Sequence, residues 1–370
     1  MKKTKKAIAV LAAFTLMAGL TACGGSGEAT SGQAGADESK TSSAGGSQGG
    51  QITPPSSPKK YSVAAGSVGG TFYLIGGGIA QIINQQLPEY FMFTSETTGG
   101  GTANLELLQA GDGELGIVNT SSLYELLRGE ADWTNGQIYD KIRGAAAIYP
   151  TYFTCYTKEG SGINCLEDLN GKKVGVGSKG MSMDSVMRQF FTDRGIVPAQ
   201  IHNDGHSATA TALGDGVIDA AITFSYPPFA AINEVESTNS LKFIGMTDEE
   251  QAYLLDKYDF YKANELPAGS YKGNPEPVQG VSEWTMLVTT TDISEDEVYL
   301  MVKELYENQE DLIAVHQSAE NMTVENALQF NIPLHAGVIR YLKEVGIEVP
   351  TELIRRNTAN KYKQEEKNGE

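Results

Sequence analysis

Cysteine is scarce in this sequence, which contains only Cys23, Cys155 and Cys165 among its 370 residues. So few thiols exclude a small domain held together by several disulfides, and no set of residues has the ligand spacing of a zinc site. Cys155 and Cys165 could close one short loop as a disulfide or remain two free thiols. The sequence leaves both possibilities open.

Basic residues are also few. The chain has 28 Lys and Arg against 46 Asp and Glu, which gives a formal net charge of −18. Nucleic acids and anionic lipid headgroups require a basic face, so we expect no nucleic-acid partner. Any anionic ligand must then be held by local geometry, because the overall field of the protein opposes it.

Catalytic and cofactor motifs are missing as well. The four histidines, His202, His206, His316 and His335, form no H-E-x-x-H pattern, and we interpret them as surface or loop residues. No P-loop, EF-hand spacing or Ser-His-Asp arrangement occurs. We therefore expect no enzyme, no cofactor and no metal site. The run from Gly175 to Gly180 fits G-x-G-x-x-G, but the same turn equally suits a small carboxylate at a helix N-terminus.

No apolar run is long enough to span a bilayer. Four lysines precede 16 uncharged residues from Ala7 to Ala22, whereas a membrane-spanning helix needs about 20. We therefore predict a signal peptide at residues 1–22. Leu20 to Cys23 resembles the bacterial lipobox, which implies that Cys23 is lipidated and that a lipid anchor is the only membrane contact. The alternative is an ordinary signal peptide with a chance cysteine.

Residues 23–60 contain no aromatic side chain and are rich in Gly, Ser, Ala, Gln and Thr. Such a composition buries too little apolar surface to offset its ordering entropy. We expect this segment, beginning with the lipidated cysteine, to be a disordered tether.

The remaining chain of about 310 residues is longer than one compact core usually holds. Strands alternating with helices predict an α/β fold with mostly parallel sheets and a ligand cleft between two lobes. We assign residues 61–152 to the first part of lobe 1 and residues 153–280 to lobe 2. Residues 281–370 are expected to return to lobe 1 and to form the C-terminal helices.

One sequence pattern recurs along this chain: a short apolar run, then a turn rich in Gly, Ser or Thr, then a helix. It occurs around Ser67 to Thr71, Thr98 to Thr102 and Ser178 to Met183. Such turns expose backbone N–H groups at helix N-termini, where an anion is favoured. We expect a carboxylate to be held there, with Lys179 as the only nearby cation and with Tyr73 and Tyr226 on the cleft wall.

The sequences Gly66 to Tyr73, Thr98 to Leu105 and Leu115 to Asn119, together with Leu166 to Lys172 and Ile332 to Tyr341, resemble a known family. It comprises the extracytoplasmic solute receptors of TRAP transporters, in the TAXI branch. The resemblance implies a monomeric protein of the type II periplasmic-binding fold outside the cell membrane. Such a receptor delivers a small organic acid or amino acid, glutamate and glutamine among them, to a TRAP-type membrane permease.

Motif by motif, the resemblance implies a set of ligand contacts. They are Ser67, Gly70, Thr71, Tyr73, Gly100, Thr102, Asn104 and Asn119 from lobe 1, and Ser178, Lys179, Ser182, Met183 and Tyr226 from lobe 2. The chain departs from the family pattern at Met181 to Met183, at Asn119 and at Ser225 to Pro228. We therefore expect a ligand that is bulkier or less polar than glutamate. The alternative is a binding protein of the same fold that serves an ABC importer or a sensor kinase.

Overall fold

The computed structural model describes residues 52–68, 70–128, 139–179 and 181–354, with residues 127–128 described only in their backbone. The predicted signal peptide, the predicted lipidation site Cys23 and most of the predicted tether lie outside these ranges. Lys59 and Lys60 already belong to the first strand, so the end of the tether is corrected to an earlier position. No helix within the described ranges is both long enough and apolar enough to cross a membrane.

Strands and helices alternate through the described chain. The strands are β1 (Lys59–Ala64), β2 (Phe91–Glu96), β3 (Leu115–Asn119), β4 (Ile142–Lys158), β5 (Lys173–Gly175), β6 (Gln200–His202), β7 (Ala220–Ser225), β8 (Leu241–Ile244), β9 (Lys262–Leu266) and β10 (Val278–Thr290). The helices are α1 (Thr71–Gln86), α2 (Gly101–Ala110), α3 (Thr120–Arg128), α4 (Ser182–Asp193), α5 (His206–Gly214), α6 (Ala230–Thr238), α7 (Asp248–Lys257), α8 (Glu295–Glu307), α9 (Gln309–Val315), α10 (Ala336–Glu344) and α11 (Thr351–Ile354). Short 3-10 turns cover Leu166–Leu169, Gln317–Asn321 and Val324–Asn326.

All the strands join one sheet in the order β2-β1-β3-β10-β4-β7-β5-β6, with β8 paired to β4 and β9 paired to β10. The outer strands pair in parallel, β1 with β2 and β3, and β5 with β6 and β7. The central strands β4 and β10 pair antiparallel with each other and with their other neighbours. The expected α/β class is confirmed, but the expectation of mostly parallel pairing is corrected at the centre of the sheet.

Two separate groups of cores give the molecule its two lobes. One core gathers residues between 63 and 149 and between 286 and 353, and we call the elements around it lobe 1. Two adjoining cores gather residues between 153 and 281, and we call the elements around them lobe 2. The long strands β4 and β10 run through both lobes. Since the chain leaves lobe 1 along β4 and returns along β10, the two strands are antiparallel, which explains the mixed sheet.

This arrangement confirms the expected two-lobed architecture of the type II periplasmic-binding fold. The chain crosses into lobe 2 between Tyr149, in the first core, and Phe153, in the second. It returns between Val281 and Met286. Both crossings lie at the middle of the sheet, so the space between the lobes opens beside them.

Helix α1 illustrates how the sequence places a helix N-terminus at this position. Ile75, Ile79, Ile82 and Ile83 recur at helical spacing and are at most 1% exposed, so one face of the helix packs into the core of lobe 1. A Cβ at Gly76 would lie 2.5 Å from the Cβ of Ala65. The glycine therefore lets α1 pack directly on the chain that leaves β1, and the helix begins just beyond the strand's carboxyl end.

Cys155 and Cys165 are both free thiols. Cys155 lies in β4 and is 1% exposed. Burial raises the pKa of its thiol to about 12, so it remains protonated and unreactive. The sequence left open a disulfide or two free thiols, and the structure has two free thiols.

Candidate ligand-binding site

A cavity of about 400 Å³ lies between the two lobes. This volume is in the range of sites that bind small molecules. Both lobes contribute to its wall, and so do the crossing strands through Tyr149, Thr151 and Glu283. A ligand in this cavity would contact elements that are far apart in the sequence.

Helices α1, α2 and α3 from lobe 1 and α4 and α5 from lobe 2 begin at this cavity, and Phe229, the N-cap of α6, also lines it. Each of these helices follows a strand or the turn after it. Because successive strands end at the same edge of the sheet, the helices begin near one another. The lining residues at the helix starts are Gly70 and Thr71, Gly100 and Gly101, Ser121 and Ser122, Ser182 and Met183, and Gly205 and His206. The first N–H groups of each helix have no partner within the helix itself.

In the part of the chain that the structure describes, most of the helices that begin at the cavity have no side-chain cap, although α9, which begins elsewhere, has none either. The N-caps of α1, α2, α4 and α5 are Gly70, Gly100, Met181 and Gly205, and none of these residues makes a side-chain cap hydrogen bond among the described residues. Helices α7 and α8, which begin away from the cavity, each have a complete capping box. The cavity thus gathers backbone donors at the positive ends of several helix dipoles, which favours an anion.

Two ionisable groups on the cavity differ sharply in exposure. Lys179 is exposed in the turn before α4, at the lobe 2 wall. Glu283, on β10, is only 2% exposed. Asn119 donates from Nδ2 to Glu283 Oε1 at 3.2 Å, and the Ser121 N–H donates to Oε2 at 2.9 Å. Burial raises the pKa of the Glu283 carboxyl, and these donors offset the shift in part.

Most of the residues predicted as ligand contacts lie together on this cavity wall. They are Ser67, Gly70, Thr71, Gly100, Thr102, Asn119, Ser178, Lys179, Ser182, Met183 and Tyr226. Tyr73 is half-buried on α1 and does not line the cavity. The recurring sequence pattern of apolar run, turn and helix therefore predicts where the cavity wall lies.

The prediction for Asn104 is corrected, because its side chain is fully buried beneath the cavity. Its Nδ2 donates to the carbonyls of Ala65 at 2.7 Å and Ile117 at 2.6 Å. Its Oδ1 accepts from Thr98 Oγ1 at 2.5 Å. Asn104 joins α2 to the chain at the ends of β1 and β3, and so holds the turn in place from below.

Some of the predicted contacts also connect the lobes. Ser182, at the start of α4, lies with its Oγ 3.1 Å from Ser122 Oγ on α3 and donates to Glu125 Oε2 at 3.3 Å. Tyr226 donates from its hydroxyl to Glu320 Oε1 at 2.6 Å. Ligand contacts at Ser182 and Tyr226 would therefore be coupled to the contact between the lobes.

Sequence reasoning missed several lining residues. His206 was interpreted as a surface or loop residue, but it begins α5 at the cavity, with Nδ1 3.1 Å from Thr223 Oγ1 and its ring 5.3 Å from that of Phe229. Burial lowers its pKa. Glu283 was missed too, although a lone acid in the otherwise uncharged run from Val278 to Thr290 was a visible signal.

Three solved structures are similar to most of this chain. The substrate binding protein of an amino acid ABC transporter is 14% identical with a TM-score of 0.43, over 70% of this chain and 99% of that one. A histidine kinase sensor domain with similarity to periplasmic binding proteins is 12% identical with a TM-score of 0.45, over 72% and 98% of the two chains. The periplasmic aliphatic sulphonate binding protein SsuA from Escherichia coli is 14% identical with a TM-score of 0.41, over 78% and 79%.

The sequence also matches a protein-family model over residues 63–346. This match includes the turns at the cavity and both crossings between the lobes. It spans more than half of the 370 residues, and the chain therefore belongs to the NMT1-like family.

Proposed function

We propose that this protein is an extracytoplasmic solute receptor that captures a small carboxylate or amino acid in the cavity between its lobes. The observation that carries the proposal is the convergence of uncapped helix N-termini from both lobes on one cavity. A carboxylate bound there accepts several backbone N–H bonds, which are stronger for a charged acceptor than for a neutral one. The role is binding rather than catalysis.

Both lobes contribute donors, so the ligand bridges them. Contacts that form only in the closed arrangement shift an equilibrium between open and closed forms toward closure. The crossing strands β4 and β10 are the connections about which the lobes move. The closed form is then the one that a membrane partner recognises.

The sequence resemblance to TAXI receptors supports a TRAP-type permease as that partner. A lipid anchor at Cys23 and the predicted tether would keep a monomeric receptor near the permease. The alternative is that the same binding site serves an ABC importer or a sensor kinase. A TRAP permease gene beside the gene for this protein supports the first assignment, and an importer or kinase gene there supports the second.

Apolar side chains on the cavity wall support a ligand that is bulkier or less polar than glutamate. Phe72 lines the lobe 1 side, and Met183, Phe224 and Phe229 line the lobe 2 side. These groups fit the hydrocarbon part of a ligand, whereas the helix N-termini fit its charged end.

Thermal unfolding of the full chain with a panel of amino acids and organic acids tests the proposal. A ligand at about 100 times its Kd stabilises the folded state by about 2.7 kcal/mol, so the midpoint should rise for at least one carboxylate. The control for each acid is its primary amide, which has the same shape without the charge. Equal stabilisation by acid and amide, or no stabilisation by any acid, would contradict the proposal.

A further inference from the structure

Tyr124 belongs to lobe 1 but packs against the core of lobe 2. It lies on α3, whose Leu123 and Leu126 are fully buried in the lobe 1 core. Successive helix residues are about 100° apart around the axis, so Tyr124 points to a different side from Leu123. Its ring lies edge-on to two rings of lobe 2, 5.0 Å from Phe260 and 6.1 Å from Tyr258.

Tyr226 makes the reverse contact. It follows β7 of lobe 2, yet it packs against the core of lobe 1. Its ring lies edge-on to that of Tyr149 at 5.9 Å, and Tyr149 is buried in that core. Its hydroxyl donates to Glu320 Oε1 at 2.6 Å. Each lobe therefore places one tyrosine against the core of the other.

The turn that carries Glu320 is fixed to lobe 1. In the 3-10 turn Gln317–Asn321, Ala319 is fully buried in the lobe 1 core. The Gln309 side chain donates from Nε2 to the Ala319 carbonyl at 2.8 Å. Because this turn moves with lobe 1, separation of the lobes breaks the hydrogen bond between Tyr226 and Glu320 and exposes the tyrosine ring.

The two tyrosines flank the connection between the lobes. At the centre of the sheet the order is β3-β10-β4-β7, in which β10 and β4 are the crossing strands. Tyr124 follows β3, which ends opposite Thr285 of β10, and Tyr226 follows β7, which ends opposite Tyr152 of β4. Opening about the crossing strands therefore separates both tyrosines from their partners.

We propose that Tyr124 and Tyr226 are positioning residues that stabilise the closed arrangement and thereby set how tightly the solute is held. An aromatic pair is worth about a two- to tenfold change in an equilibrium constant. Apparent affinity is proportional to the fraction of protein that is competent to bind. Tyr226 also lines the cavity, but Tyr124 is not among the described residues that do, so Tyr124 acts through closure alone. This role rests on the proposed function, since it presupposes capture by closure.

A pair of cysteines across the lobes measures closure without any ligand. Ser122 and Ser182 lie with their Oγ atoms 3.1 Å apart, so in the variant Ser122→Cys with Ser182→Cys a disulfide forms only where the lobes meet. In glutathione buffers, the equilibrium between disulfide and dithiol gives the effective concentration of one thiol at the other. Mass spectrometry of the linked peptides distinguishes this disulfide from any other.

In the full chain with these two cysteines, we expect Tyr124→Ser to lower the effective concentration about tenfold, because two ring contacts with lobe 2 are lost. Tyr124→Phe keeps the ring and should stay within about twofold. Tyr253→Ser is the matched control, because Tyr253 is half-buried and its ring packs at 5.7 Å on Phe190 of its own lobe. It should leave the effective concentration unchanged.

An unchanged effective concentration in Tyr124→Ser, or an equal fall in Tyr253→Ser, would overturn the proposal. If Tyr124→Ser does not fold, Tyr124→Leu takes its place, with an expected fall of about threefold because it keeps an apolar side chain without the ring.

Calorimetry then tests the effect on capture in the chain that retains Ser122 and Ser182. The probe is the carboxylate that stabilises the unmodified protein most in the thermal unfolding panel. We expect Tyr124→Ser to weaken its binding by the same factor as it lowers the effective concentration. Unchanged affinity would overturn the link between these tyrosines and capture. If no carboxylate binds the unmodified protein, the proposed function fails, whereas the glutathione measurement still decides the role in closure.

Discussion

Asn104 connects three parts of lobe 1 through one side-chain amide. Its hydrogen bonds to the Ala65 and Ile117 carbonyls and to the Thr98 hydroxyl are buried. We expect Asn104→Ala to lower the free energy of unfolding by about 1–3 kcal/mol, because buried polar groups lose their partners. Urea denaturation measures this change.

Asn164→Ala is the matched control, because Asn164 is exposed and surface substitutions usually change stability by about 0.5 kcal/mol or less. Equal stability of the Asn104 and Asn164 variants would contradict the structural role of Asn104. The ligand-contact role that the sequence predicted has a different signature, namely weaker ligand binding with unchanged stability.

His335 gives the stability of the protein a pH dependence with a definite sign. Its Nε2 is 3.0 Å from the Ile293 carbonyl and must donate to it, so Nδ1 is the unprotonated acceptor of the Gly337 N–H at 3.2 Å. Burial lowers the pKa of His335 below its ordinary value. The unfolded state therefore takes up protons first as the pH falls through about 6.5.

We expect the free energy of unfolding to be lower at pH 5.5 than at pH 7.5 on account of this histidine, because the unfolded state binds the proton more readily than the folded state. His335→Asn keeps a side-chain acceptor for the start of α10 but does not titrate, so it should show a smaller pH dependence. Urea denaturation of both proteins at both pH values isolates the effect, because the other titratable groups are shared. The same pH dependence in both would contradict this assignment.

At the residue scale, the sequence predicts the turns well because Gly, Ser and Thr before a helix have a local cause. It does not predict the roles of Asn104 and Glu283, since both depend on partners in other strands. The partners of Asn104 include Ile117, and those of Glu283 include Asn119 and Ser121. Their placement follows from the sheet order, which periodicity does not encode.

Helix α5 offers a direct test of why α1, α2, α4 and α5 begin without a side-chain cap from any described residue. Gly205, its N-cap, has φ −62 and ψ 158, an extended conformation that any residue adopts. A Cβ there would meet nothing within 4 Å. We expect Gly205→Asp to raise the free energy of unfolding by about 0.5 kcal/mol, through the cap and the helix dipole, and to weaken carboxylate binding about tenfold or more by repulsion. Urea denaturation and calorimetry measure the two effects.

The control for charge is Gly205→Asn, which also caps the helix but is neutral. It should keep the gain in stability and lose much less affinity than the Asp variant. If the two variants bind the carboxylate equally well, the anion is not held near the start of α5.

At the element scale, the predicted apolar runs correspond closely to the strands of lobe 1. The apolar run from Phe91 to Glu96, before the turn at Thr98, is β2, and the apolar run from Leu115 to Val118 falls within β3. Pairing direction was harder to predict. A strand that is buried on both faces has the same continuous apolar sequence in a parallel as in an antiparallel sheet. The sequence therefore could not predict that β4 and β10 pair antiparallel.

At the scale of the whole molecule, chain length alone indicated two lobes, and the structure has them. The cavity between them could not be located from sequence beyond its turns, because its wall also includes the crossing strands. The lobes meet through the hydroxyls of Ser122 and Ser182 and through Tyr124, whose ring lies 5.0 Å from that of Phe260. The contact between Ser122 and Ser182 lies at the start of α4, where the proposed ligand also bridges the lobes.

Small-angle X-ray scattering during a ligand titration tests most directly whether the solute is held between the lobes. The probe is the carboxylate that stabilises the full chain most in the thermal unfolding panel, and its primary amide is the control. We expect the radius of gyration to fall as the carboxylate saturates the protein and to stay unchanged with the amide, because a ligand that contacts both lobes favours the closed form. A scattering profile that does not change while calorimetry shows saturation would contradict capture between the lobes.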